Sequence, residues 1–243
     1  MDGATELEAV FDLPADVSFY ALASVYDFVY SRNFEYDRQA TRVRRHARDE
    51  GVLELACGTG RLAAHLQDAG TYVAVDAAAP MLAVARRVAD AHLVRADVRR
   101  VTFDRRFGAV ALLGRSSAHF GHDDLRSVAT VARDHLEDGG FVLDAHHRAT
   151  LADGHTIDDR YESDRWTVRY RGESTTTGGG WCNHEYLLDV RDRRREERRT
   201  FEGDHDMRFW GVDELRGLLE AAGFDTVRID ATDGRVDATA LPP

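Results

Sequence analysis

In the run VLELACGTGRLA, residues 52–63, an acid at Glu54 precedes two glycines, Gly58 and Gly60, and helix-forming residues follow. An apolar strand that breaks into glycine and restarts as helix presents backbone N–H groups to a nucleotide-like ligand. A triphosphate loop is excluded, because it needs a lysine and the chain contains none. A dinucleotide turn is allowed: Gly58-Thr59-Gly60-Arg61-Leu62-Ala63 fits G-x-G-x-x-A, and Asp76 ends the next apolar run, where a ribose-binding acid belongs. Glu54 argues the other way. A carboxylate beside a pyrophosphate is repelled, whereas a cationic amino acid attracts it.

Two further stretches bear on the ligand. RADV places Asp97 at the end of a third apolar run, able to accept from an adenine amino group, with Val98 able to pack on the ring. VDAAAPMLAVAR supplies an apolar helix start with Met81 beside it. Together these motifs resemble those of the class I S-adenosylmethionine-dependent methyltransferases: acid-x-(Gly/Ala)-x-Gly-x-Gly, an acid ending strand two, then Asp with a hydrophobic neighbour ending strand three. The resemblance covers roughly residues 40–150 plus the last helix and strand, and Ala56 stands where the first glycine is more usual. It implies that Glu54, Ala56, Gly58 and Gly60 border the methionine moiety, that Asp76 takes both ribose hydroxyls, and that Met81, Asp97 and Val98 enclose the adenine.

Methyl transfer from a sulfonium is an in-line displacement, so the protein must align the acceptor, exclude water and remove a proton where the nucleophile carries one. In LLGRSSAHF, His119 follows the fourth strand, where an imidazole suits the last task. The stretch is similar to the Ser-x-x-His-(Leu/Phe) of small-molecule N-methyltransferases; a histidine that caps or bridges the helix start is the competing reading. VYDFVY resembles the YD-x-x-Y helix that folds over the cofactor in those enzymes, which implies that Tyr20 and Tyr26 reach the cofactor carboxylate or the acceptor. DAHHRAT offers Asp144, His146 and His147, but adjacent histidines on a strand point to opposite faces, so no metal is expected. His184 and Glu185 are read the same way. RDRRREERR, residues 191–199, mixes acids with bases at period two and reads as a solvated strand face.

These residues need elements to hold them. Residues 16–48 repeat apolar positions at helical spacing. From residue 51 short apolar strands alternate with helices expected near 59–69, 80–90 and 123–136, the signature of a parallel sheet covered on both faces. After residue 150 the pattern is antiparallel, with two strands joined by STTTGGG, read as a mobile hairpin tip, and a third at RTFEGDHDMRFW. Helix and strand then resume at GVDELRGLLEAAGF and DTVRID, with a last strand near RVDATAL. The expected fold is a doubly wound, seven-stranded Rossmann-like α/β sheet whose last strand is antiparallel. Its expected divisions are an N-terminal helical lid over 1–48, a cofactor-binding core over 49–152, an antiparallel insert over 153–210 above the active site, and the rest of the core over 211–243.

Composition narrows the partners. The net charge is -11, which argues against a nucleic-acid groove or an anionic membrane surface. Every basic residue besides histidine is arginine, and the acids are scattered, a pattern expected of a halophilic protein. A GC-rich genome explains arginine over lysine but not the acidic excess. Cys57 and Cys182 form no metal-spaced set, and the N-terminus shows neither the basic nor the apolar region of an export leader. The expectation is a cytoplasmic monomer or homodimer that methylates a small molecule, at nitrogen in preference to oxygen. The rival readings are an NAD-dependent oxidoreductase using the same turn and a non-catalytic cofactor-binding or scaffold protein.

Overall fold

The computed structural model describes residues 7–47 and 49–243. The first six residues, in which no export leader is expected, and Arg48, the expected end of the lid, lie outside the described residues. In chain order the elements begin with α1 (Ala23–Tyr30), α2 (Tyr36–Ala47), β1 (Val52–Leu55), α3 (Arg61–Ala64), β2 (Tyr72–Asp76) and α4 (Ala79–Val88). They continue with β3 (His92–Arg95), β4 (Phe107–Leu112), α5 (His122–Asp134), β5 (Leu136–His147), β6 (His155–Glu162) and β7 (Trp166–Gly178). The last are β8 (Trp181–Asp192), β9 (Glu197–Trp210), α6 (Val212–Ala221), β10 (Thr226–Thr232) and β11 (Arg235–Leu241). The chain divides into two compact units, Met1–Phe34 with Ala152–Met207, and Glu35–Leu151 with Arg208–Pro243.

The second unit is a mixed α/β sheet. Its strands run β3-β2-β1-β4-β5, all parallel, and β11 then pairs antiparallel with β5 and with β10. β1 and β4 are buried along their whole length, which is why both read as continuous apolar runs. Leu53 and Leu55 face one core with α5 and α6, while Val52 faces another with α2 and Leu82 of α4. α2 belongs to this unit, where Ala40, Val43 and Ala47 form a buried stripe against Val52 and Val142. α3 is one turn long where a helix to about residue 69 is expected. The chain turns through Leu66 and Ala69 to Gly70, whose φ of +78° is a glycine conformation, before entering β2.

The first unit is an antiparallel sheet with its own core. β6, β7 and β8 pair antiparallel, and β9 lies beside β8. Inward positions alternate along β8 as His184, Tyr186, Leu188 and Val190, and they pack with Trp166, Val168, Tyr170 and Phe201 against Phe19, Leu22, Val25, Phe28 and Val29. Strand β6 has no counterpart in the expected elements, because HTIDDRYE carries only Ile157 and Tyr161 as half-buried apolar residues. Ser174 to Thr176 pair with β8 rather than forming the expected tip; the turn itself falls at Gly178–Gly180, all with positive φ. RDRRREERR is likewise a turn as much as a strand face. β8 ends at Asp192, whose carboxylate accepts the N–H groups of Arg194 and Arg195, and β9 starts at Glu197. Among the described residues no helix is long and apolar enough to cross a membrane.

Candidate functional site

The turn after β1 is built by left-handed backbone. Ala56, Gly58 and Gly60 have φ of 56°, 53° and 74°, so Ala56 accepts a conformation that glycine would take without steric cost. A Cβ on Gly60 would meet Ala85 Cβ at 3.0 Å, which makes this glycine the contact that lets α3 approach α4. A Cβ on Gly58 would meet nothing within 4 Å: the space above the turn is open.

Asp76 ties the turn to the end of β2. Its Oδ2 accepts the N–H of Gly58 at 2.8 Å and its Oδ1 accepts the N–H of Ala78 at 2.8 Å. Burial pushes its pKa up while the backbone N–H groups of Ala78, Gly58 and Ala77 pull it back. Each carboxylate oxygen keeps a lone pair for an outside donor, so a diol fits. Glu54 lies in β1, 5% exposed, and its Oε2 accepts from Tyr72 Oη at 2.9 Å. Burial pushes its pKa up to about 8, and nearby Asp76 adds to the push. At neutral pH this carboxyl is protonated, and an approaching cation would ionise it. These acceptors suit an amino-acid cation and a ribose together.

At the ends of β3 and of α4's first turn the picture is mixed. Met81 is buried at 2% and Val98 at 6%, the latter within the core that α5 covers. The Asp97 carboxylate is already held by Arg99, through its backbone N–H at 3.0 Å and its guanidinium at 2.8 Å, and Arg100 adds a second ion pair. These contacts hold its pKa down at about 2.

After β4 the chain passes Gly114 and Arg115, both left-handed, into a single 3-10 turn, Ser116–His119. The turn is anchored to β5: Arg115 N–H donates to Asp144 Oδ1 at 2.6 Å, and Ser117 Oγ donates to the Asp144 carbonyl at 2.7 Å. His119 is exposed in surface terms but crowded by protein, which pushes its pKa below the ordinary imidazole value; solvent limits that push. Such an imidazole is neutral at pH 7, the form that a general base needs.

Sequence reasoning gave Asp144 and His146 no assigned role, yet the structure puts both at this edge. Asp144 is buried, also accepts from Gln39 Nε2 at 3.3 Å, and is pushed up to about 6. His146 stacks on Phe209 with ring centres 4.8 Å apart and is pushed down to about 3 by burial, with the charges of Arg115 and His119 adding to it. DAHH at a strand end was the available signal; nothing in the sequence marks Gln39 or Phe209. His147 Nδ1 lies 3.3 Å from the Thr232 carbonyl, away from His146, as the alternation of a strand requires. Tyr20 and Tyr26 belong to the other unit, where both meet Phe19 edge-on at 6.2 and 5.8 Å. His184 is in that unit as well, between Tyr170 Oη at 2.8 Å and Ser174 Oγ at 2.9 Å.

Comparison with known proteins agrees with the motifs. Residues 52–140 match the methyltransferase domain family. Over 131 residues the chain is 35% identical to the dTDP-3-amino-3,6-dideoxy-alpha-D-glucopyranose N,N-dimethyltransferase of Streptomyces fradiae, a match covering 50% of this chain and 51% of that enzyme. The matched segment thus spans about half of that curated relative. The fold is similar to that of DesVI from Streptomyces venezuelae, with 26% identity and a TM-score of 0.79 over 91% of this chain and 98% of that one. It is also similar to KedS8, a sugar N-methyltransferase from a Streptoalloteichus species, with 26% identity and a TM-score of 0.74 over 89% and 92% of the two chains.

Proposed function

We propose that the chain is an S-adenosylmethionine-dependent methyltransferase that methylates the nitrogen of a small molecule, with an amino sugar as the acceptor class. The observation that carries this reading is the pairing of an open left-handed turn at Gly58 with Asp76 and a protonated, buried Glu54 beneath it. Relatives whose names specify an amino sugar and a sugar N-methyltransferase support the acceptor class.

When bound, the cofactor supplies an electrophilic methyl group on a sulfonium. Asp76 orients the ligand by accepting from its ribose hydroxyls. Glu54, Ala56, Gly58 and Gly60 border its amino-acid end, and Met81, Asp97 and Val98 border its adenine. His119 takes the proton that the acceptor nitrogen must lose, the crowding that lowers its pKa leaving it neutral beforehand. In this reading β1 to β5 with β10 and β11 are the seven strands of the cofactor-binding sheet, the N-terminal helices with Tyr20 and Tyr26 act as a lid, and β6 to β9 form an acceptor-recognition insert. The halophilic origin and the cytoplasmic location belong to the same proposal, supported by the lysine-free acidic composition.

The test is methyl transfer itself. Cofactor carrying a labelled methyl group, incubated with a nucleotide-linked amino sugar, should place the label on the sugar nitrogen. Label recovered on oxygen, or no transfer across a panel of amino sugars, would overturn the acceptor assignment.

A further inference from the structure

Helix α2 and strands β10 and β11 enclose a hollow of about 610 Å³ within the α/β unit. Small-molecule sites occupy roughly 300 to 1,000 Å³. None of the residues assigned above to the cofactor or the acceptor lines this one. From α2 it takes Arg38, Arg42 and Arg45, which recur at i, i+4 and i+7 on one helix face. From the strands it takes two facing pairs of the β10–β11 ladder, Arg228 opposite Thr239 and Asp230 opposite Asp237. Four guanidinia against two carboxylates leave surplus positive charge here, in a chain whose net charge is -11.

These groups divide into a closed lattice and an open set. Asp237 is buried and accepts from Arg38, from Arg42 at 2.8 Å and from Arg235 at 3.0 Å. Arg42 is fixed further by donating to the carbonyls of Leu143 and Ala238 at 3.1 and 2.9 Å. Among the described residues, by contrast, Arg45, Arg228 and Asp230 form no ion pair and no side-chain hydrogen bond, and the Thr239 hydroxyl has no partner. Asp230 faces Asp237 with no cation of its own, although like charges directly opposite each other destabilise a ladder. Arg228 and Asp230 lie on one face of β10, about 7 Å apart along the strand, and leave each other unpaired.

We infer that this hollow binds a phosphorylated polyol. Arg45 and Arg228 hold the phosphate, since a guanidinium presents paired N–H groups that match two phosphate oxygens. The Thr239 hydroxyl donates to a further oxygen, and Asp230 accepts from a hydroxyl carried by the same ligand. Arg38 and Arg42, committed to Asp237, add a field that draws the anion in. Asp230 also sets the preference. Its carboxylate repels a bare phosphate ion, and that repulsion is offset only where the ligand brings a hydroxyl to it. Inorganic phosphate and a phosphate ester share the oxyanion, so the hydroxyl beside Asp230 is what distinguishes them.

The test is titration calorimetry at one fixed ionic strength, with folding of each variant checked by circular dichroism. Ribose 5-phosphate and inorganic phosphate are the probes, and the wild type should bind the ester more tightly than the ion. Arg45→Gln and Arg228→Gln should each weaken ester binding by about tenfold or more, through loss of charge-assisted hydrogen bonds. Arg44→Gln should leave it unchanged, because Arg44 pairs with Asp68 at 3.0 Å and does not line the hollow. Asp230→Ala should erase the preference for the ester, whereas a general loss of structure would lower both affinities and keep their ratio. A wild type that does not bind the ester, or binds both probes alike, would overturn the inference. So would ester binding that Arg45→Gln or Arg228→Gln leaves intact, an equal loss in Arg44→Gln, or a preference that survives Asp230→Ala.

Discussion

Tyr72 donates its phenolic hydrogen to Glu54 Oε2 at 2.9 Å across the β1–β2 ladder, inside a core where neither side chain meets water. Burial raises the Glu54 pKa from 4.5 to about 8 and keeps this carboxyl under the glycine turn protonated, although the hydrogen bond from Tyr72 pulls the other way. An acid with a raised folded-state pKa contributes stability that is complete below its unfolded value and is lost as pH rises through the folded one. Between about pH 4 and about pH 8 the folded chain holds a proton that the unfolded chain has released, so stability falls across that window. Glu54→Gln keeps an acceptor for Tyr72 and removes the titration. Denaturant midpoints at about pH 5 and about pH 8 should differ in the wild type and draw together in the variant; an equal drop in both would deny Glu54 the role.

His119 should act as the base that relieves the acceptor nitrogen of its proton. His119→Asn should leave cofactor affinity intact and cost about 10² to 10⁴ in turnover. The lowered imidazole pKa predicts that wild-type activity falls on the acidic side below about pH 6.5. Rate profiles of both proteins on the same amine decide the matter: an acidic limb that persists in the variant belongs to the acceptor, and His119 then only aligns it.

Gly172 faces the His184 ring so closely that a Cβ would lie 2.5 Å from Cε1 and Nε2. His184 is held on both nitrogens by Ser174 and Tyr170 and has no room to retreat. Gly172→Ala should therefore destabilise by about 1 to 3 kcal/mol. Gly217 sits exposed in α6, where a Cβ meets nothing within 4 Å, and Gly217→Ala should stabilise by about 0.5 to 1 kcal/mol. Urea unfolding of the two variants checks the contrast, and the same sign for both would contradict the packing described for His184.

The acidic composition predicts a dependence on salt. With a net charge of -11, self-repulsion grows as the screening length rises from about 3 Å at 1 M to about 30 Å at 0.01 M. The melting temperature should fall as salt is diluted through that range. A flat profile would leave genome composition as the source of the arginine bias.

Most of the α/β unit was legible in the sequence, since strands buried on both faces read as unbroken apolar runs and the glycine turn carries its own chemistry. β6 was not legible, because two half-buried apolar residues among charged ones cannot announce a strand, even one that pairs in a hairpin with the next. At the candidate site, the motif residues Glu54, Gly58, Gly60 and Asp76 stand out in the sequence by their resemblance to a known family, and the structure sets Asp76 against the Gly58 N–H. The lock that Arg99 places on Asp97 and the support that Gln39 gives Asp144 depend on tertiary approach, which no local pattern encodes.

The central claim is that the Gly58 turn with Asp76 receives S-adenosylmethionine and not a dinucleotide, and equilibrium binding tests it directly. Calorimetric titration with adenosylhomocysteine should give saturable binding, weakened tenfold or more by Asp76→Ala through loss of its hydrogen bonds to the ribose, worth about 1.5 to 3 kcal/mol. Titration with NADH should give no heat of binding. Saturable binding of NADH with none of adenosylhomocysteine, or an affinity for adenosylhomocysteine that Asp76→Ala leaves unchanged, would contradict the account.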